Sequence, residues 1–272
     1  MKILKYSLLF IIIIGISSAA WMYYPQFKIN KLKQESISVE KIEDTISIFE
    51  HYRNMNQEVI YHLALGDSVV RGYGVNDNEN LVSRFSHQLS LLTGKNVDFS
   101  NAGINGSTSN ELMSLIEDGH FDAEIAKANI ITINIGGNDV LKGAQQLNYS
   151  KALQGFDEVQ STFIKNLTGV SSKIKQINPN ATVLFLELYN PMNPNDSLYP
   201  IADQLLPKWN INIYEIAQKH PGALVIETTE VINGENLQNL SIDGIHPNSN
   251  GHAAISDLMI NQLKRVRISV AV

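Results

Sequence analysis

A serine hydroxyl becomes a strong nucleophile when a neutral imidazole can take its proton and a carboxylate fixes the tautomer of that imidazole. Near the C-terminus, Asp243-Gly244-Ile245-His246-Pro247-Asn248 offers such a carboxylate and imidazole from one short loop. A candidate serine stands far upstream in Leu65-Gly66-Asp67-Ser68-Val69, followed by Gly72 and Gly74. By itself Gly-Asp-Ser is also an ordinary turn and helix-cap sequence. Two more segments matter for an ester-cleaving site: Asn101-Ala102-Gly103-Ile104-Asn105-Gly106-Ser107-Thr108-Ser109 and Ile135-Gly136-Gly137-Asn138-Asp139. Glycine lets a backbone N–H approach a ligand without a Cβ in the way, and Asn138 adds a neutral side-chain donor. Such donors stabilise a tetrahedral oxyanion, and losing one costs about 3–4 kcal/mol of barrier. Each glycine cluster taken singly is equally a tight turn. The remaining histidines, His51, His62, His87, His120, His220 and His252, have no comparable setting; His252 lies inside a helical pattern and suggests packing or solvent exposure.

Positioning these segments requires strands that end where the chemistry begins. Short apolar runs at Val59–Leu65, Asn96–Ser100, Asn129–Ile135, Thr182–Leu188 and Ala223–Glu227 are strand candidates. Between and after them come helical patterns: Phe156, Val159, Phe163, Leu167, Val170 and Ile174, then 201–219 and 249–264. Strands alternating with helices imply right-handed crossovers and a parallel, doubly wound sheet covered on both faces. In such sheets the loops after the carboxyl ends of the strands line the ligand crevice, so Ser68 is expected at its floor. No internal repeat and no second domain is evident.

The four segments occur in the order serine, glycine, asparagine, histidine, and on these residues the chain resembles the SGNH (GDSL-type) esterase and lipase family. The resemblance spans roughly residues 59–265, and Asp243-Gly-Ile-His-Pro-Asn is its most specific block. It implies a flavodoxin-like three-layer α/β/α sandwich around a central parallel five-stranded sheet, and cofactor-free hydrolysis of acyl esters or thioesters. Under it Ser68 is the nucleophile, His246 the base and Asp243 its orienting acid. The oxyanion is held by the backbone N–H groups of Ser68 and Gly106 and by the Asn138 side chain. Val69 stands where the family usually carries leucine, a conservative change. The usual α/β-hydrolase needs a G-x-S-x-G elbow, whereas the second residue after Ser68 is Val70.

Composition divides the 272 residues into unlike parts. The formal charge of −6 combines five lysines and no acidic group before residue 34 with 16 basic against 27 acidic groups after it, a body of −11. That sign repels phosphate backbones, so nucleic acid is excluded as a partner. Cysteine is absent, which removes thiol nucleophiles, thiolate metal sites and disulfides. Asp77 and Glu79 lack the spacing of a calcium loop, and Gly66–Gly74 lacks the ending of a P-loop, so neither metal nor cofactor is expected. From Tyr6 to Phe27 no residue is charged. Residues 1–27 are therefore a cleaved signal peptide, with Ser18-Ala19-Ala20 as its processing site, or an uncleaved anchor ending in Trp21, Tyr23 and Tyr24. The expected location is the cell membrane with an outward-facing catalytic body, or secretion if the segment is cut. Residues 28–57, with Ile42, Ile46 and Phe49 at helical spacing, form a polar stalk or docking helix that covers the domain edge or acts as a lid. Residues 58–272 are the catalytic domain, expected to be monomeric. Candidate substrates are lipid or lysophospholipid acyl esters or thioesters, with O-acetylated cell-wall sugars as the alternative. A membrane-tethered binding protein lacking turnover is the reading from another class. Asn190-Pro191-Met192-Asn193-Pro194-Asn195-Asp196 forms a pocket lip or a plain surface loop.

Overall fold

The computed structural model describes residues 23–34, 45–145, 152–197 and 199–269. Helix α1 covers 23–34. Then follow β1 (Thr45–Ser47), α2 (Ile48–Asn54), β2 (Val59–Gly66), α3 (Ser68–Arg71), α4 (Leu81–Thr93), β3 (Asn96–Gly103), α5 (Ser109–Glu117) and α6 (Asp122–Lys127). After them come β4 (Ile130–Asn134), α7 (Gly137–Gln145), α8 (Ala152–Ile177), β5 (Thr182–Leu186), α9 (Tyr199–Gln218), β6 (Ala223–Ile226), α10 (Ser249–Arg265) and β7 (Arg267–Ser269).

Five strands form one parallel sheet in the order β3-β2-β4-β5-β6. The chain runs outward from β2 to β3, then returns to the other side of β2 to lay down β4. The reversal creates a switch point between β2 and β4, where an open α/β sheet leaves a crevice at its carboxyl edge. Both faces of the sheet are buried, and the two-residue period of a strand sorts their side chains. Leu63 and Leu65, Ile131 and Ile133, and Val183 and Phe185 join a core beneath α5, α8 and α9. Ile60 and Ala64, Ile130, and Leu184 and Leu186 join the opposite core beneath α2, α4 and α10. Helix α8 buries Phe163, Leu167, Val170 and Ile174 at spacings of four and three, one face of a 3.6-residue helix. Phe163 stacks on Trp209 of α9 with ring centroids 4.8 Å apart. One polar row crosses the second core: His62 lies 2.8 Å from both Ser86 Oγ and Thr132 Oγ1, and burial lowers its pKa to about 3, which keeps the ring neutral.

The N-terminal expectations change in detail. Helix α1 runs across the boundary drawn at residue 27, and it is docked rather than held away as a stalk. Its Ile29 and Leu32 enter the core under α9, Lys28 pairs with Glu215 at 3.2 Å, and Lys33 pairs with Glu227. The helical period through Ile46 and Phe49 also breaks, because Ile46 lies on β1, antiparallel to β7. Ser47 is the cause: its hydroxyl accepts the Glu50 N–H while Glu50 reaches back to the Ser47 N–H, a capping box that starts α2 at Ile48. Ile42 and most of the expected membrane segment lie outside the described residues. Among the described residues no helix is long and apolar enough to cross a membrane.

Phe163 is fully buried, so Phe163→Ala should lower the unfolding free energy by about 3–5 kcal/mol in urea titrations. A loss under about 1 kcal/mol would show that α8 and α9 are not held by this stack.

Candidate active site

The serine turn is set by close backbone packing. At the last residue of β2, Gly66, a Cβ would lie 2.1 Å from the Asn134 carbonyl oxygen of β4. Asp67 N–H then donates to that same oxygen at 3.1 Å. Asp67 is the N-cap of α3, accepting the Val69 N–H at 2.9 Å, and Ser68 is the first helical residue. Gly72, in the left-handed region with φ +80°, closes the turn by donating its N–H to Ser68 O at 3.0 Å. Strand β3 supports the turn from the side. A Cβ on Gly103 would sit 2.2 Å from Arg71 N, and Asn101 Nδ2 donates to Val70 O at 2.8 Å. Sequence reasoning quoted Asn101 without a role; a side chain that satisfies a carbonyl two elements away leaves no local signature.

His246 arrives from the other end of the chain. Its Nε2 lies 2.7 Å from Ser68 Oγ, and its Nδ1 lies 2.7 Å from Asp243 Oδ2. The second Asp243 oxygen accepts the N–H groups of Ile245 and His246 at 2.9 and 3.0 Å. Partial burial works to raise the Asp243 pKa, but these amides and the imidazole outweigh it and hold the carboxyl below its usual value. The loop is pinned at both ends. Ser241 N–H donates to His246 O at 2.7 Å, and Asn248, the N-cap of α10, donates to Gln238 O and Leu240 O. Two residues that sequence reasoning did not single out complete the setting. The Tyr73 ring stands 4.7 Å from the imidazole, and Tyr189 OH donates to Ile245 O at 2.9 Å.

Gly106 and Asn138 follow the carboxyl ends of β3 and β4, the two strands on either side of β2. Gly106 has φ +77°, and a Cβ there would touch nothing within 4 Å, so its glycine requirement is conformational. Asn138, second residue of α7, donates one amide hydrogen to Ser107 O at 2.9 Å, which leaves its other hydrogen for a ligand. Asp139 locks the two loops together: its carboxylate accepts both the Ser109 N–H and the Ser109 hydroxyl, and Asn166 of α8 donates to that hydroxyl. Burial raises the Asp139 pKa, partly offset by the Ser109 bonds. The Ile104 N–H donates to Gly66 O at 3.0 Å, tying this assembly to the end of β2.

The structure thus brings Ser68, His246 and Asp243 into one hydrogen-bonded row, with Gly106 and Asn138 on linked loops beside it. His252 is not part of it. That ring is fully buried and its Nδ1 accepts the Leu81 N–H at 3.2 Å. Asp77 and Glu79 are engaged by Arg71, Asn76, Arg84 and Ser249. No group of three or more metal-ligating side chains occurs among the described residues. Asn190 lines a cavity of about 190 Å³ with Ile29 of α1 and Tyr199 of α9, and neither Ser68 nor His246 borders it.

A family model described as GDSL-like Lipase/Acylhydrolase matches residues 64–254, the stretch that carries every one of these residues. The chain belongs to that family. Among its relatives, the spore germination lipase LipC of Bacillus licheniformis is 28% identical over 200 residues, 73% of this chain and 93% of that one. The solved lipase Lip_vut3 from a goat rumen metagenome is 28% identical, with a TM-score of 0.64 over 75% of this chain and 97% of that one. An acetyl-xylooligosaccharide esterase of Geobacillus shares the fold at 18% identity and a TM-score of 0.56, over 75% and 94% of the two chains. As a member of the GDSL-like family, the protein is a carboxylic ester hydrolase.

Asp67, directly before the serine, gives the family site a pH signature. Its carboxyl is 3% exposed; burial pushes its pKa up to about 7 against the Val69 hydrogen bond, and the charge of Asp139 adds to the rise. The unfolded carboxyl titrates near about 4. Between those values the folded state keeps a proton that the unfolded state has lost. Its stability contribution is therefore complete below about pH 4 and falls as pH rises toward about 7. Asp67→Asn should flatten this slope in urea midpoints measured from about pH 4 to 7.5, and parallel curves for the two proteins would refute it.

Proposed function

We propose that the protein is a serine esterase acting on lipid-type acyl esters, and that Ser68 attacks the acyl carbonyl to form an acyl-enzyme. The row Ser68–His246–Asp243, with both hydrogen bonds at 2.7 Å, carries this reading. His246 Nε2 takes the serine proton as Oγ bonds to the carbonyl carbon. The resulting oxyanion is stabilised by the N–H groups of Ser68 and Gly106 and by the free amide hydrogen of Asn138. His246 then returns the proton to the leaving oxygen as the ester bond breaks. Water, deprotonated by the same nitrogen, releases the acid and restores Ser68. Asp243, itself fixed by two backbone N–H groups, keeps the Nδ1–H tautomer in place and stabilises the imidazolium.

Lipid as substrate is favoured by the apolar surroundings of the serine, where Tyr73, Ile104 and Ile245 are each at least partly exposed. The 28% identities to two lipases point the same way. We also propose that the uncharged segment 6–27 attaches the enzyme to the membrane with its catalytic domain outside, and that the domain acts as a monomer.

Ser68→Ala or His246→Ala should lower kcat by about 10⁴-fold or more with the fold retained, and Asn138→Ala by about 10²–10³-fold. Hydrolysis of p-nitrophenyl esters checks this, and undiminished turnover by a folded Ser68→Ala protein would falsify the mechanism. Across acyl lengths from acetyl upward, activity should rise with chain length. A preference for acetyl would instead move the protein to the O-acetyl sugar esterases.

A further inference from the structure

The large apolar side chains left exposed are not scattered over this surface. Twelve are exposed among the described residues, and Leu91, Leu92 and Phe99 lie at the amino end or middle of the sheet. The other nine lie at or within a turn or two of its carboxyl edge, or on the first turns of α1. Around the serine, Ile242 is fully exposed and Tyr73, Ile104 and Ile245 are 49%, 46% and 39% exposed, all on loops already joined to Gly66, Ser68 or His246 by the contacts above. A concentrated apolar face of this kind marks an interaction surface.

The direction of α1 supplies an independent observation. Helix α9 enters from the long loop after β5 and leaves by four residues into β6, so its N-terminus is at the carboxyl edge of the sheet and its C-terminus at the amino edge. Contacts along α1 and α9 advance together: Lys28 pairs with Glu215, and farther on Leu32 O accepts from Gln218. The two helices are therefore parallel, and α1 begins at the carboxyl edge. Its residue 23 lies about 9 Å beyond Ile29 in that direction, at 1.5 Å per residue. On this first stretch Tyr23, Tyr24 and Phe27 are each more than half exposed, followed by Lys28 and Lys31. Aromatic side chains flanked by lysines are the residues that settle at the headgroup level of a bilayer. Immediately before them in the chain stand the apolar residues from Leu8 onward.

We infer that the carboxyl-edge face is a bilayer-contact surface: the docked helix α1 presents the Ser68 opening, with Ile242 and Ile245 at its rim, to the membrane that holds the N-terminal segment. This rests on the membrane attachment and ester cleavage proposed above and adds an orientation to them. A domain on a free tether would sample all directions, whereas α1 is fixed by two core residues and two ion pairs. A substrate acyl ester could then pass from the lipid to the serine without crossing bulk water.

The absence of cysteine from the chain makes the test direct, because a single introduced thiol carries the only label. Full-length Ile242→Cys, Leu91→Cys and Ile12→Cys proteins, each bearing an environment-sensitive fluorophore, are reconstituted into phosphatidylcholine vesicles with and without spin-labelled lipid. The expected result is a blue shift and several-fold quenching by spin-labelled lipid at positions 12 and 242, with neither at 91. Quenching at 12 but not at 242 overturns the orientation while membrane attachment stands. No quenching at either position overturns both. A blue shift at 242 that spin-labelled lipid does not quench means that protein, such as a second copy of this chain, covers the face, and it also overturns the inference. Hydrolysis of a water-soluble ester by the same samples reports separately on the catalytic reading.

Discussion

The end of β2 passes so near the end of β4 that no side chain can stand between them. Gly66 rests against the Asn134 carbonyl, and the next N–H in the chain bonds that same oxygen. Everything reactive hangs from this contact. It turns the chain sharply enough to place Ser68 at the start of a four-residue helix, and it fixes the serine relative to the loop that carries Asn138. Gly103 repeats the device on the other side, with β3 pressed against the backbone of Arg71. Glycine at these positions costs conformational entropy in the unfolded chain, and the parallel sheet repays it by giving three strand ends a fixed relation that no flexible loop could hold.

Charge around the serine is arranged in two registers. Asp243, partly exposed and supplied with two amide donors, is kept ionised beside the imidazole. Asp67 and Asp139 are buried, burial raises the pKa of both, and they serve as hydrogen-bonding braces, Asp67 for the Val69 N–H and Asp139 for Ser109. Of the three, Asp243 is the one that hydrogen-bonds the imidazole. Carboxyls of one residue type are separated into different roles by solvent access and by the number of N–H groups offered to them.

Much of this arrangement was legible in the residues. The five strands of the sheet fall where apolar runs of suitable length occur, and their extents shift only at the ends: β3 continues to Gly103, and β5 stops at Leu186. Ser68, Asn138, Asp243 and His246 are recognisable because their chemistry demands particular residue types, and three of them, Ser68, His246 and Asp243, share one hydrogen-bonded row. What stayed hidden depends on long-range contact. Asn101 and Asp139 serve backbone groups of other elements, and Tyr73 is defined only by its distance from a histidine 173 positions later. The β1–β7 pair was invisible for the same reason, since three-residue strands carry no period and each exists only because the other does. Helix α1 has no boundary of its own at Lys28, where the composition changes while the backbone stays helical through residue 34.

The docking of α1 is set by a short stretch of its own residues. Its anchoring contacts, Ile29, Leu32, Lys28 and Lys33, all lie after the small-residue run Ser18-Ala19-Ala20. A cut at that run would leave all four of these contacts on the side of the catalytic domain. The seating of α1 is therefore a property of the catalytic body itself and does not depend on the residues before that run.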